Sequence, residues 1–125
     1  MKYKLTFIYC FIVLVLSVLP SKSFPKTEIT NADKIVHFLM YFFMVGVMFL
    51  DDLLKNARHF DQRWLSKMCC FFFFAVIFGA IIEIIQYFLP SRSAEWYDLL
   101  SNSVGAFLGI IVIILLKKLF FEKKI

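Results

Sequence analysis

Four apolar stretches separated by short polar connections run through the chain, at about residues 4–20, 34–50, 67–89 and 95–117. In the third of them, with its phenylalanine run, apolar side chains cover every side of a helix, so much of it must face lipid or neighbouring helices. The pattern predicts an all-α fold: a polytopic membrane protein, a single domain over residues 1–125, built as a bundle of four transmembrane helices. The first stretch is the shortest. Its uninterrupted run, residues 5–19, covers about 22 Å of a hydrocarbon core about 30 Å thick, so Tyr3 and the snorkelling lysines Lys2 and Lys4 have to complete it. A cleavable signal peptide is the competing reading, because a charged start, a short apolar centre and the small residues Ser21 and Ser23 all suit one. Pro20 and Lys22 make a poor cleavage site, and both readings stay open. Cys10 is not a lipoprotein acceptor, since residues 11–19 would leave the apolar centre behind it.

The connections carry their own signals. Thr30 or Asn31 can cap the second helix, with Asp33 in its first turn against the positive end of the helix dipole. Asp33, His37 and Tyr41 follow at intervals of four, hence on one face. For a histidine in that place, the plainer alternative to a functional role is a hydrogen-bonded interfacial residue. Residues 51–67 form the most charged connection, with Asp51, Asp52, Lys55, Arg58, His59, Asp61, Arg63 and Lys67, and they read as a solvated loop anchored by Trp64. The third helix, with its run Phe71 to Phe74, breaks at Leu89-Pro90, and the fourth starts near Glu95.

Composition makes the membrane assignment firmer. At 62% hydrophobic residues and a mean hydropathy of +0.82, the chain lies beyond the roughly 45–50% of a soluble domain. The net charge of +5 does not indicate nucleic-acid binding, because lysines and arginines sit at segment ends and not in one stripe. Cys10, Cys69 and Cys70 lie in or beside apolar segments and read as buried small side chains, not as a disulfide framework. Charge asymmetry orients the bundle. Lys2, Lys4, Lys55, Arg58, Arg63, Lys67, Lys117, Lys118, Lys123 and Lys124 fall on one side, against Lys22, Lys26, Lys34 and Arg92 on the other. The positive-inside rule then puts both termini in the cytoplasm. Tyr87, Trp96 and Tyr97 become an outer aromatic belt.

This orientation gathers the polar residues of the helices at the outer interface. Glu83 lies roughly 9 Å inside the Leu89-Pro90 break at 1.5 Å per residue. A lone carboxylate there is costly by about 2–3 kcal/mol, so it must be protonated, paired or facing a wet cavity. Gln86, one turn above, can supply an amide hydrogen bond. Asp98, Asn102, Gly105 and Gly109 share one stripe of the fourth helix, and Gly105-x-x-x-Gly109 is the small-residue spacing that lets helices approach closely, with Asn102 bonding across the contact. Packing alone is the plainer reading of that stripe, but Asp98 and Asn102 at its outer end favour a packed helix pair with a polar mouth.

Asp33-Lys34-x-x-His37-Phe38, Glu83-x-x-Gln86, Arg92 and Asp98-x-x-x-Asn102-x-x-Gly105 together resemble the signature of VanZ-like membrane proteins, named after a bacterial teicoplanin-resistance protein. The resemblance covers about residues 33–109. Glu95 departs from it, standing where the family often has aspartate. The resemblance implies a small multi-helix protein of the bacterial inner membrane, associated with the cell envelope and, in some members, with tolerance of envelope-targeting antibiotics. It brings no mechanism with it.

Two readings follow. In one, the outer cluster binds or modifies an anionic head group, from a membrane lipid or a lipid-linked, phosphate-bearing envelope substrate. Lys34 and Arg92 hold phosphate, Arg92 in a bidentate fork; Asp33, Gln86 and Asn102 complete the binding set; His37, Glu83 and Asp98 are the catalytic candidates, with His37 and Glu83 moving a proton. In the other, the same residues tie helices together in a non-catalytic scaffold, a homo-oligomer or the subunit of a membrane partner protein. A transport path through Glu83 lacks a second ionisable residue deeper in the membrane. No nucleophile motif or phosphate-binding glycine loop is present, and no cofactor is expected. One histidine and two carboxylates of unknown separation assign no metal.

Overall fold

The computed structural model describes residues 2–20, 22, 31–56 and 62–120, and among these it is helical throughout apart from short turns. Thr30, Lys26, Arg58, His59, Asp61 and residues 122–125 lie outside the described residues. Four helices follow one another: α1 (Lys4–Val18), α2 (Ala32–Lys55), α3 (Trp64–Phe88) and α4 (Trp96–Phe120). The last three, of 24, 25 and 25 residues, are long and apolar enough to cross a membrane. At 1.5 Å per residue each reaches about 36–38 Å. The 15-residue α1 is apolar but shorter.

Local chemistry sets the helix ends. Asn31, at the N-cap of α2, has φ 65°, a left-handed conformation that asparagine tolerates better than most residues; its side chain makes no capping bond. α3 stops at Phe88 because Leu89 precedes Pro90 and is held extended (φ −91°, ψ 123°). A turn bonded from Arg92 N–H to the Leu89 carbonyl then redirects the chain into α4.

The helices alternate in direction. At one end the first turn of α1 meets the last turns of α2, where Thr6 bonds Asp51, and Lys117 of α4 lies 3.8 Å over the Trp64 ring of α3. At the other end Gln86 of α3 bonds the Ser17 carbonyl of α1, and Lys34 of α2 pairs with Glu95 just before α4. The core is a seam of Val13, Tyr41, Met44, Val45, Ala75, Ile82, Ala106 and Ile110. Outside it, Phe7, Phe43, Phe73, Ile77, Phe107 and Leu115 are exposed, as lipid-facing side chains must be.

α2 and α4 are the most intimate pair, and glycine is the reason. A Cβ built on Gly105 would strike the Phe38 carbonyl oxygen, and one on Gly109 would strike Val45 Cγ2 and lie 2.8 Å from the Phe42 carbonyl oxygen. The two backbones therefore touch where side chains would otherwise keep them apart.

Two expectations are corrected here. α2 continues through Asp51 and Asp52 to Lys55, where a solvated loop was expected, and both carboxylates are buried. They can stay helical because each has partners: Asp51 takes hydrogen bonds from α1, and Asp52 lies 3.3 Å from Lys67. Cys69 and Cys70 are exposed and only Cys10 is half-buried, all three as free thiols. In a bundle this thin most apolar positions face lipid, so an apolar neighbourhood in sequence does not mean burial.

Candidate functional site

At the α3–α4 turn end, three helices each present a polar side chain to a common point. His37 stands in the second turn of α2, Glu83 near the end of α3, and Asp98 in the first turn of α4. Each offers one ligand-type atom, and these atoms lie within 4.8 Å of one another. All three residues are at most 9% exposed.

The imidazole is held from both sides. Its Nδ1 lies 3.0 Å from Asn102 Oδ1 and its Nε2 3.7 Å from Asp98 Oδ2. An amide oxygen only accepts, so Nδ1 carries the hydrogen and donates it to Asn102. Nε2 is then the nitrogen turned toward the carboxylates. Asn102, fully buried one turn beyond Asp98, thereby sets which ring nitrogen faces the cluster.

Lys34 sits one turn before His37 and divides its charge. Its ammonium donates to Glu95 Oε2 at 2.9 Å and lies 3.9 Å from Asp98 Oδ1. Glu83 is different: both carboxylate oxygens are buried with no hydrogen-bond partner, as is Asp98 Oδ1. Lys34 lies near Asp98, and the Glu95 main-chain N–H and Arg92 act favourably on Glu83, but a buried carboxylate with so little direct hydrogen bonding is costly in low dielectric. This triad is thus poised to share protons or to take up a cation.

Glu83 also borders open space. A cavity of about 400 Å³ between α3 and α4 is lined by Ala80, Glu83, Ile84, Tyr87, Ala94, Glu95, Trp96 and Leu99. Its walls are mostly apolar and its two acids lie toward the buried cluster and the Lys34 pair. Ile84, Tyr87 and Trp96 are exposed at its mouth, on the lipid-facing surface of the bundle.

The other candidates fall around this centre. Gln86 donates to the Ser17 carbonyl at 2.9 Å and not to Glu83, so it ties α3 to α1. Arg92 donates to the Leu16 carbonyl at 3.0 Å, which fastens the α3–α4 turn onto the end of α1. Asp33 is exposed on the outside of α2, while His37 and Tyr41, at the same spacing of four, turn inward. The four-residue interval advances a helix by slightly more than one turn, and Asp33, in the first turn of α2, stays on its exposed side. Gly105 and Gly109 lie below the cluster, against α2.

Glu95 is the residue that sequence reasoning undervalued: it registers there only as a departure from a family pattern, yet it is the close partner of Lys34. The available signal was charge: in a bundle of alternating direction α2 and α4 run parallel, so a lysine in the first turn of α2 and an acid just before α4 lie at the same end. The apolar cavity walls, Ala80, Ile84 and Leu99, had no signal at all, since they look like any lipid-facing residue.

Comparison with known families returns the model described as VanZ/LLP1, matched over residues 4–117. Comparison with curated proteins and with solved structures gave no match.

Proposed function

The chain belongs to the VanZ/LLP1 family of membrane proteins, and from that premise we propose that it binds the head group of an anionic lipid or lipid-linked envelope molecule at the outer face of the bacterial inner membrane. The observation that carries this reading is the double position of Glu83, which lines the lipid-side cavity and belongs to the buried cluster with His37 and Asp98. A cavity with apolar walls, a polar floor and a mouth among lipid-facing side chains suits an amphipathic ligand, whose acyl part stays in the membrane while its head group turns inward. Lys34 and Arg92, two of the cations at that end, would serve the anionic part. The outer location rests on the ten-to-four excess of lysine and arginine at the opposite end, with both termini cytoplasmic. Tolerance of envelope-targeting antibiotics would be the consequence of sequestering or altering such a molecule.

A second reading is favoured by particular bonds. Gln86 to Ser17 and His37 to Asn102 join different helices, as expected of a scaffold or partner subunit whose polar residues act as ties.

Mass spectrometry of the lipids that co-purify with the full chain separates the two. On the binding reading, one anionic lipid class is enriched over the bulk membrane; Ala80→Trp, which fills the cavity, and Arg92→Lys, which loses the bidentate fork, both lower that enrichment at unchanged protein abundance. An unchanged lipid profile in Ala80→Trp would rule out the cavity as the binding place and leave the scaffold reading.

A further inference from the structure

We propose that His37, Glu83 and Asp98 form a binding site for one divalent transition-metal ion, of the kind Zn²⁺ or Mn²⁺ represents. The inference goes beyond head-group binding and rests on the donors themselves, so it stands or falls separately from that reading.

Three independent features point to a cation. The first is donor geometry. The ligand-type atoms of the three residues lie within 4.8 Å of one another, and His37 Nε2 is 3.7 Å from Asp98 Oδ2. Bonds of about 2.0–2.2 Å to nitrogen and oxygen in a tetrahedral site put neighbouring donors about 3.3–3.6 Å apart. The histidine–aspartate edge is already near that value. The flexible Glu83 side chain needs to swing in by only about 1 Å to complete the triangle.

The second feature is the unmet demand of the carboxylates. Both Glu83 oxygens and Asp98 Oδ1 are buried without a hydrogen bond, in a residue pair at most 9% exposed. Around the cluster, α2 contributes Asp33, Lys34 and His37, α3 contributes Glu83, the α3–α4 turn contributes Glu95 and Arg92, whose charge acts on Glu83, and α4 contributes Asp98 and Asn102. The single charge of Lys34 is spread over Glu95 and Asp98. A divalent ion supplies two positive charges where Glu83 and Asp98 supply two negative ones.

The third is the histidine tautomer. Metal-bound imidazoles characteristically donate their other ring N–H to an acceptor that fixes the ring. Nδ1 does this to Asn102 Oδ1 at 3.0 Å. Nε2 is left facing Asp98 Oδ2 at 3.7 Å with Glu83 beside it, a place for either a proton or a metal between ring and carboxylates. Imidazole with carboxylates favours Zn²⁺ or Mn²⁺ over the all-oxygen sites of Ca²⁺ and Mg²⁺. Three protein ligands leave a fourth position, and because Glu83 lines the cavity that position opens toward it. An oxygen of water, or of a phosphate-bearing head group, fits there. The same ion would let a pocket whose own polar lining is acidic accept an anionic ligand.

The test uses the full chain in detergent, with Cys10→Ser, Cys69→Ser and Cys70→Ser to remove thiol ligands, stripped with chelator and titrated with Zn²⁺ alone in the absence of added lipid. One ion per chain is expected, with an affinity of about micromolar or tighter. Glu83→Gln, Asp98→Asn and His37→Gln should each weaken binding by about 100-fold or more, and Asn102→Ala by about 10-fold through the ring it orients. Circular dichroism checks that each variant keeps its helices. For any variant that does not, X-ray absorption of the zinc-loaded cysteine-free chain decides: one imidazole with oxygen ligands supports the site, and a shell without imidazole overturns it. Absence of stoichiometric binding, or an affinity unmoved by Glu83→Gln in a folded protein, also overturns it. Absence of any lipid enrichment in the unsubstituted chain, or enrichment unchanged by Ala80→Trp, with metal binding intact would instead fault the head-group reading alone.

Discussion

Replacing Asp51 by alanine should loosen α1 from the rest of the bundle, because this carboxylate acts as the amino-terminal cap of a helix to which it does not belong. The first four N–H groups of any helix have no partner within it. At α1 no side chain of its own supplies one, and the N-cap residue Tyr3 is left-handed at φ 62°. Asp51 reaches across from α2 and accepts from Thr6 N–H at 2.7 Å, Thr6 Oγ1 at 2.7 Å and Leu5 N–H at 3.4 Å. Both Asp51 and Thr6 are 8% exposed, so little water can replace those bonds. A hydrogen bond to a charged group contributes about 1.5–3 kcal/mol, and a carboxylate at a helix amino end gains about 0.3–1 kcal/mol from the dipole. Counting the two short bonds and discounting the long one, then subtracting what is regained when a buried charge is released, gives a loss of about 2–4 kcal/mol for Asp51→Ala. Asp51→Asn keeps a carbonyl acceptor and should lose about half as much. Thr6→Val should cost about 1 kcal/mol. The assay is denaturation in mixed micelles followed by circular dichroism, with hydrogen exchange at Leu5 and Thr6 as the local readout. In the Asp51→Ala background the Thr6→Val cost should shrink toward zero, since the partner is already gone. Equal Thr6→Val costs in the two backgrounds, or Asp51→Ala within about 0.5 kcal/mol of wild type, would refute the cross-helix cap.

The remaining predictions concern packing and orientation. Gly105→Ala should lower both membrane abundance and resistance to denaturation, by about 1–3 kcal/mol or more, because the added carbon meets Phe38 backbone, which cannot yield without separating α2 from α4. Gly46→Ala, where nothing lies within 4 Å of the added carbon, should be neutral or slightly stabilising; equal losses for the two variants would show that the α2–α4 contact is not what Gly105 serves. Reporter fusions after Ser93 should read as outside and after Asn56 as inside, and the opposite result would move the His37–Glu83–Asp98 site to the cytoplasmic face.

The membrane-spanning, all-helical architecture was legible in the sequence because it depends on composition and on runs of apolar residues, properties that each segment carries by itself. Lipid demands that every backbone polar group be bonded within the segment, so a long apolar run has almost no alternative to a helix. Pro90 likewise marks the end of α3 by local sterics, and the polar residues His37, Glu83, Asp98 and Asn102 stand out because each is expensive in an apolar helix. Their partners were a different matter. That Gln86 would bond Ser17 and not Glu83, that Lys34 would pair with Glu95, and that Asp51 would cap α1 from another helix all depend on how four helices rotate about their own axes when they pack. Periodicity says which residues share a face of one helix but not which face of the next it meets, and a helix rotation of one residue, about 100°, is enough to exchange one partner for another. The closeness of α2 and α4 at Gly105 and Gly109 selects that rotation, and only the assembled bundle then determines that a carboxylate from α3 ends beside the imidazole of α2 and the carboxylate of α4 with no hydrogen-bond partner of its own.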